Sequence, residues 1–474
     1  MRMKFPASVF KAFVFAGSVT ATALMPLKAA ADNLSDAMIG AYKTSGLLEQ
    51  NRALLRVADE DVAIALSQLR PLIEWTVTAS HSYSRGANQF GTFNELTSND
   101  ISTQLQLTQL LYDGGETRLR KDAAQELVLA TRQQLLGVEQ QVLLSAVQAY
   151  VGVLQGQENV ALRRNNLRLL QEEQKAAQDR FEVGEVTRTD VALAESRVAA
   201  ARANLTDAEG TLLTARATYQ QVVGHAPGSI AGQPRLPSRS SSLDRAQSIA
   251  QRNQPDLLAQ QHAVKAADIL IQAATRALGP SVSFRATAGL SDDINDGNGI
   301  SSDATASVIM SQELYTGGRN AATRRRAIAS ADAERGTLIT TQRSVRQAVS
   351  AAFYNAETAR VSLISSGERV RASKVAFDGI REEATLGART TLDVLQAEQE
   401  YLDAQTEQVN ARASQAIAAY QLLQSQGLLT AEHLGLAVEI YDPTLYYNLV
   451  KDAPAQHSKR GKDLDRVLKA LGRD

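Results

Sequence analysis

Two hydrophobic periodicities alternate along this chain, and the alternation is written out twice. The spacing predicts a helix over Leu34–Leu69, ended by Pro71. Ile73, Trp75, Val77 and Ala79 then alternate with Glu74, Thr76, Thr78 and Ser80, the period of a strand with two unlike faces. A Gly- and Asn-rich stretch, Arg85–Asn99, reads as loop. In the strand that follows, Ile101, Thr103, Leu105 and Leu107 alternate with Ser102, Gln104, Gln106 and Thr108. After Gly114-Gly115, helix formers run from Glu116 to about Phe181. On that helix Leu135, Val138, Val142, Ala146, Ala149 and Val153 form one seam at three- and four-residue spacing. The second copy has Val282, Phe284, Ala286 and Ala288 in one strand, a loop over Ser291–Asp303, then Ala306, Val308 and Met310. A helix from about Arg319 to Ala384 completes it.

The repeat is visible residue by residue. Leu111-Tyr112-Asp113-Gly114-Gly115 recurs as Leu314-Tyr315-Thr316-Gly317-Gly318. Val183-Gly184-Glu185-Val186-Thr187-Arg188-Thr189-Asp190-Val191 is echoed by Leu386-Gly387-Ala388-Arg389-Thr390-Thr391-Leu392-Asp393-Val394, at the same offset of 203. Pro71 and Pro280 are 209 apart, so the first copy carries a longer loop between Pro71 and Leu111. The copies meet at Gly224–Leu243, where Pro227, Pro234, Pro237 and a Ser run read as linker. The expected organisation is a leader over 1–31, a first repeat over 32–223, a linker over 224–242, a second repeat over 243–428 and a C-terminal segment over 429–474. That last segment, with Tyr446, Tyr447 and a basic stretch from His457, fits neither repeat. A helix on the outside of the molecule and a disordered end are both open; disorder beyond Asp452 is expected.

Magnitudes narrow the architecture. A helix of about 65 residues is ~100 Å long, far beyond an ordinary domain. Strands of about ten residues suit a tilted crossing of a bilayer. Four strands cannot close a membrane barrel, and open edges in lipid would leave backbone groups unsatisfied, so the chain must oligomerise. Twofold closure gives about eight strands and threefold about twelve; only the larger leaves a lumen. The competing reading is a periplasmic structural or adhesive coiled coil carrying two hairpins, but an isolated hairpin is marginal in stability.

Composition changes the picture in two places. Arg2, Lys4 and Lys11 precede an apolar stretch, Ala12–Leu27, and the small residues Ala29-Ala30-Ala31: a secretory leader cleaved after Ala31. Loss of that leader, which also carries Lys28, leaves a mildly acidic chain with no reason to bind nucleic acid. The chain has no cysteine, so disulfides, thiolate metal sites and a lipid anchor on an N-terminal Cys are excluded. His81, His225, His262, His433 and His457 are scattered and form no metal-ligand spacing; no P-loop or nucleophile elbow occurs. No enzyme activity, metal or cofactor is expected.

With its duplicated helix–hairpin–helix plan, its two Leu-Tyr-x-Gly-Gly turns and Leu386–Glu398, the chain resembles the TolC family of outer-membrane efflux and secretion channels over Leu34–Leu428. The resemblance implies a mainly α protein with membrane β: a trimer with a 12-stranded outer-membrane β-barrel, continued by a long periplasmic α-helical barrel with an iris at its far end. It also implies partners, a periplasmic adaptor and an inner-membrane ABC or proton-driven transporter, and passive passage of small molecules or secreted proteins. Gly114, Gly115, Gly317 and Gly318 take the barrel-to-helix turns. Asp190 matches the family's acidic gate residue, Arg389 the arginine that binds it across the subunit boundary, and Asp393 one of two aspartates at the constriction. Three departures stand out. Gln396 replaces the second aspartate, Ala384 replaces a tyrosine that braces the lock, and Glu173 and Arg381 stand where the family has another polar pair, as opposite charges whose pairing the sequence leaves open.

Overall fold

The computed structural model describes residues 32–87, 91, 93–293 and 299–470. The expected leader, 1–31, lies outside the described residues. In chain order the elements are α1 (Leu34–Thr44), α2 (Gly46–Ser67), β1 (Leu72–Ala87), β2 (Phe93–Tyr112), α3 (Glu116–Glu182), α4 (Arg188–Val223), α5 (Leu243–Asn253), α6 (Pro255–Arg276), β3 (Ser281–Asp293), β4 (Ser301–Ser311), α7 (Arg319–Thr385), α8 (Thr391–Ser425), α9 (Pro443–Val450) and α10 (Lys459–Ala470).

The helix expected over Leu34–Leu69 is two helices. Ser45 ends α1 with extended backbone and caps α2, its hydroxyl accepting from the Leu48 N–H at 3.3 Å. The matching break in the second copy falls at Gln254, ahead of Pro255. Each break receives a glycine from the end of a later helix. Gly224, at φ +91°, closes α4 against Thr44, and Gly427, at φ +76°, follows α8 against Asn253 and Gln254. A Cβ on Gly427 would sit 2.3 Å from the Asn253 carbonyl oxygen.

The four strands form one antiparallel sheet in the order β1-β2-β3-β4. Its register sorts side chains into two faces. Rows such as Trp75/Leu105/Ala288/Ala304 and Ile73/Leu107/Ala286/Ala306 make an apolar face, with Trp75 71 % exposed. The opposite face carries Glu74/Gln106/Thr287/Thr305 and Thr76/Gln104/Gly289/Asp303. A sheet that is apolar outside and polar inside is what a membrane barrel requires.

The loop expected over Arg85–Asn99 is largely strand, since pairing continues to Ala87↔Phe93. Likewise β3 runs to Asp293 and β4 begins at Ser301, inside the loop expected at Ser291–Asp303. The physical reason is length. A 16-residue strand rises ~50 Å, which at the usual tilt exceeds the ~25 Å apolar band. Beyond that band both faces can be polar, as Ser80, His81 and Ser82 are, so the apolar alternation stops before the ladder does.

Both long helices span 67 residues, about 100 Å. The upper part of α3 lies against α2 and α6, joined to α6 by Glu126–His262 at 2.7 Å. Its lower part lies against α4 and α8, tied to α8 by Gln155–Asn410 at 2.8 Å. The largest apolar core sits midway, where Val142–Val153 of α3 meet Tyr42, Leu55, Tyr219, Tyr420 and Leu429. The linker is strapped over this core: Tyr150 donates to the Gly232 carbonyl and Tyr420 to the Arg235 carbonyl, each at 2.8 Å.

The tail departs from expectation. Disorder was expected beyond Asp452, whereas α10 occupies Lys459–Ala470. No helix among the described residues is long and apolar enough to cross a membrane.

Gly427→Ala is expected to lower the apparent melting temperature of the detergent-solubilised protein by several degrees, because the new Cβ meets backbone and the positive φ disfavours it. Gly210→Ala, in open space within α4, is expected to leave it unchanged or raise it slightly. Differential scanning fluorimetry of both variants checks the contrast.

Candidate functional site

The two turns that join the long helices to α4 and α8 are built alike. Gly184 (φ +82°) and Gly387 (φ +77°) reverse the chain. The Glu185 and Ala388 N–H groups then reach back to the Arg180 and Glu383 carbonyls, both at 2.9 Å. This satisfies carbonyls that a helix end otherwise leaves open.

The next helix starts with a reciprocal capping box in each copy. Thr187 accepts from the Asp190 N–H, while Asp190 accepts from the Thr187 N–H at 3.0 Å and its hydroxyl at 2.7 Å. Thr390 and Asp393 repeat this at 3.0 and 2.8 Å. Hydrogen bonds from Thr187, through hydroxyl and then backbone, hold the Asp190 carboxyl below its ordinary range. The Thr390 backbone and hydroxyl do the same for Asp393. Both aspartates are therefore helix caps as well as charges.

Asp393 and Gln396, three residues apart on α8, share a face with Glu400, Asp403 and Glu407 that its own neighbours leave largely uncovered. Arg389 does not touch Asp190 within the chain; its Nε lies 2.8 Å from Glu383. Glu173 and Arg381 are brought together, at 3.5 Å, joining α3 to α7. Gly115 and Gly318, at φ +86° and +89°, are the N-caps of α3 and α7, each preceded by a glycine of positive φ.

Behind these turns, α8 is wedged between α7 and the pair α3 and α4. Leu395 packs with Leu170, Val198 and Ala201 of α3 and α4, while Val394 and Ala397 pack with Phe377 of α7. One turn on lies Glu398, only 3 % exposed, accepting from the Asn166 amide at 2.8 Å. Its other oxygen has no hydrogen-bond partner. Burial, reinforced by the Glu173 charge and opposed by the Asn166 amide and Arg381, pushes its pKa from 4.5 up to about 7. Asp59 of α2 is also fully buried, with neither oxygen hydrogen-bonded; burial, opposed by Arg132 and reinforced by Glu60, raises it to about 6.

The sequence reading missed Glu398, Asn166, Glu383 and Asp59. A signal for Glu398 existed: Val394, Leu395, Ala397, Glu398 and Leu402 form one buried stripe, interrupted by a single carboxylate.

A model of the outer membrane efflux protein family matches residues 41–225 and 247–428. The chain belongs to this family. It is 37 % identical over 439 residues to the outer membrane efflux protein BepC of Brucella suis, across 92 % of this chain and 94 % of that one. Among solved structures it is similar to the outer membrane protein VceC of Vibrio cholerae, with a TM-score of 0.71 at 18 % identity over 83 % of this chain and 96 % of that chain. It is similar too to the CmeC outer membrane channel of Campylobacter jejuni, with a TM-score of 0.72 at 16 % identity over 89 % and 90 %. The protein is an outer-membrane efflux channel and not an enzyme. No metal-holding cluster occurs among the described residues.

A carboxyl whose pKa is higher in the folded chain favours folding most when protonated. The Glu398 contribution is thus full below about 4.5, declines as pH rises toward 7 and is level above. Glu398→Gln keeps an acceptor for Asn166 and removes the charge. It is expected to raise the melting temperature at pH 8 and leave it nearly unchanged at pH 4.5, a difference on the order of 3 kcal/mol per protomer. Thermal melts at the two pH values check this.

Proposed function

We propose that three copies of the chain close one twelve-stranded barrel over one helical tunnel, and that the turns at 183–190 and 386–393 form the tunnel's iris. The observation that carries this reading is the pair of capped turns at the end of the helices opposite the sheet, with Asp190, Arg389 and Asp393 all within them. Unpaired edges on β1 and β4 support the closure, since each edge needs a strand from another copy.

In this reading Arg389 has two acidic partners to choose between. Glu383, on its own chain, holds it in the structure; Asp190 of a neighbouring copy would hold it across the boundary in the closed iris. An exposed pair is worth under ~1 kcal/mol and a partly desolvated one more, so three such contacts bias the gate without sealing it. Three Asp393 carboxylates around a narrow, water-poor opening concentrate negative potential and favour cations. Gln396 adds no charge beside them.

The channel works as a passive conduit. It acts with a periplasmic adaptor and an inner-membrane ABC or proton-driven transporter, which select cargo, whether small molecules or a secreted protein. Val183 and Leu386 support docking at the turns: 71 % and 79 % exposed at the tip, beside the also exposed Leu392, they offer an apolar contact for an adaptor.

Single-channel recording in planar bilayers tests the iris. Arg389→Ser combined with Asp190→Asn is expected to raise conductance several-fold, the asparagine preserving the cap of α4. Asp393→Asn, likewise cap-preserving, is expected to reduce cation selectivity and abolish block by trivalent cations. Wild-type conductance in the double variant would reduce these residues to surface charges, and retained selectivity without Asp393 would move the constriction elsewhere.

A further inference from the structure

The tail after α8 climbs the outside of the helical barrel toward the sheet. Its path is marked by contacts with α2 and α3. The Tyr441 N–H donates to the Tyr42 hydroxyl at 3.4 Å, and the Arg52 guanidinium lies over both rings. Next, Tyr446 donates to Glu60 at 2.7 Å, while Tyr447 accepts from Gln125 at 3.0 Å and lies under Arg132. Finally the Arg70 guanidinium donates to the Asp452 and Ala453 carbonyls. From Arg52 the anchor points advance to Arg70, just past the end of α2 at Ser67, a rise of ~22 Å over the helix at 1.5 Å per residue. The last of them is two residues short of Leu72, where β1 begins. The chain therefore delivers α10 to the rim where the helical barrel meets the membrane sheet.

That helix is built to lie on a surface. Leu464, Val467 and Leu468 form one apolar strip at i, i+3, i+4. Lys459, Lys462, Arg466 and Lys469 form a stripe on the opposite side, and the helix carries five basic against two acidic side chains. Arg460 is taken up by Asp452, and Arg466 by Asp463 at 3.1 Å. Lys459, Lys462 and Lys469 are exposed and enter no ion pair among the described residues. Against the helical barrel this segment makes few contacts, its principal helical neighbour being α9. A helix with a basic polar face and a short apolar strip, tethered at a membrane boundary, meets the physical requirements for interfacial binding.

We propose that α10 rests on the periplasmic-facing leaflet of the outer membrane and binds anionic glycerophospholipid. Its unpaired lysines meet the headgroup phosphates, and Leu464, Val467 and Leu468 enter the acyl boundary. Twelve residues bind a bilayer weakly when free in solution. Here the embedded barrel holds the helix at the lipid surface, so attachment is an intramolecular event at high effective concentration. The charge complementarity is with the anionic leaflet, and the contact adds a ring of attachment points below the barrel. The inference rests on the outer-membrane placement of the sheet and not on the iris.

Because the chain has no cysteine, Val467→Cys can carry a single environment-sensitive fluorophore on the otherwise intact protein. The labelled protein is reconstituted into vesicles of phosphatidylcholine alone or with phosphatidylglycerol, each with and without brominated acyl chains. Quenching by brominated lipid is expected at least twofold stronger with phosphatidylglycerol than without it. The gain should vanish in K459Q/K462Q/R466Q/K469Q and survive in K459R/K462R/K469R. Size-exclusion chromatography confirms that both variants assemble as the parent does. Inorganic phosphate added to detergent-solubilised protein is expected to leave the fluorescence unchanged. A blue-shifted signal already present in detergent and unaffected by phosphatidylglycerol would mean that α10 docks on protein, and would overturn the proposal. So would quenching that is equal in the two lipids, or a response to phosphate alone.

Discussion

A peptide group in hydrocarbon must find its hydrogen-bond partner within protein, and this requirement shapes the molecule. Within the four-stranded sheet the β1-β2, β2-β3 and β3-β4 ladders meet it, and the outer edges of β1 and β4 are left open. The apolar rows led by Trp75 and Ile73 commit one face to lipid, and the rows led by Glu74 and Thr76 commit the other to water. A sheet with those two faces and two open edges is a segment of a wall. The helices inherit the same logic: α3 and α7, ~100 Å long, continue the wall into the aqueous space below, where α4 and α8 pack beside them.

Duplication solves the joints twice with the same parts. In each half a glycine of positive φ ends the last helix against a break between two earlier ones, Gly224 on Thr44 and Gly427 on Asn253. In each half a threonine–aspartate capping box starts the helix after the turn. What differs is charge. Arg389 stands in the second turn where the first has Val186, so the two turns differ in charge although they share a scaffold. Asp190 and Asp393 gain their fixed orientation from the caps, which couples the turn's stability to its electrostatics. Behind the turn, Glu398 places a carboxyl at the seam of α3, α7 and α8, where apolar packing alone would be tighter.

Much of this was legible in the residues. Alternation marked the strands, unbroken runs of helix formers marked the long helices, and the offset of 203 residues marked the repeat. Three features were hidden for physical reasons. The break at Ser45 lacks the proline that marks its counterpart at Pro255, and depends on a capping hydroxyl and a distant glycine. The strands outrun their apolar pattern, because above the hydrocarbon the ladder needs no apolar side chain. The intrachain partner of Arg389 is Glu383, six residues away across a turn, and helical spacing alone does not bring such residues together. The tail misled for another cause: its composition is that of a solvated segment, and only the contacts of Tyr446, Tyr447 and Arg70 reveal its path.

Closure requires β4 of one copy to pair with β1 of the next until three copies complete the wall. Disulfide scanning measures this directly in a chain without native cysteine. One cysteine replaces Val77 on β1, and a second is moved along β4 through Ala304, Ala306 and Val308. Oxidation in intact outer membranes, followed by denaturing gel electrophoresis without reductant, reads the product. At least one pair is expected to yield a covalent species of three chains and nothing larger. A ladder extending beyond three chains, or only intrachain cross-links, would contradict it.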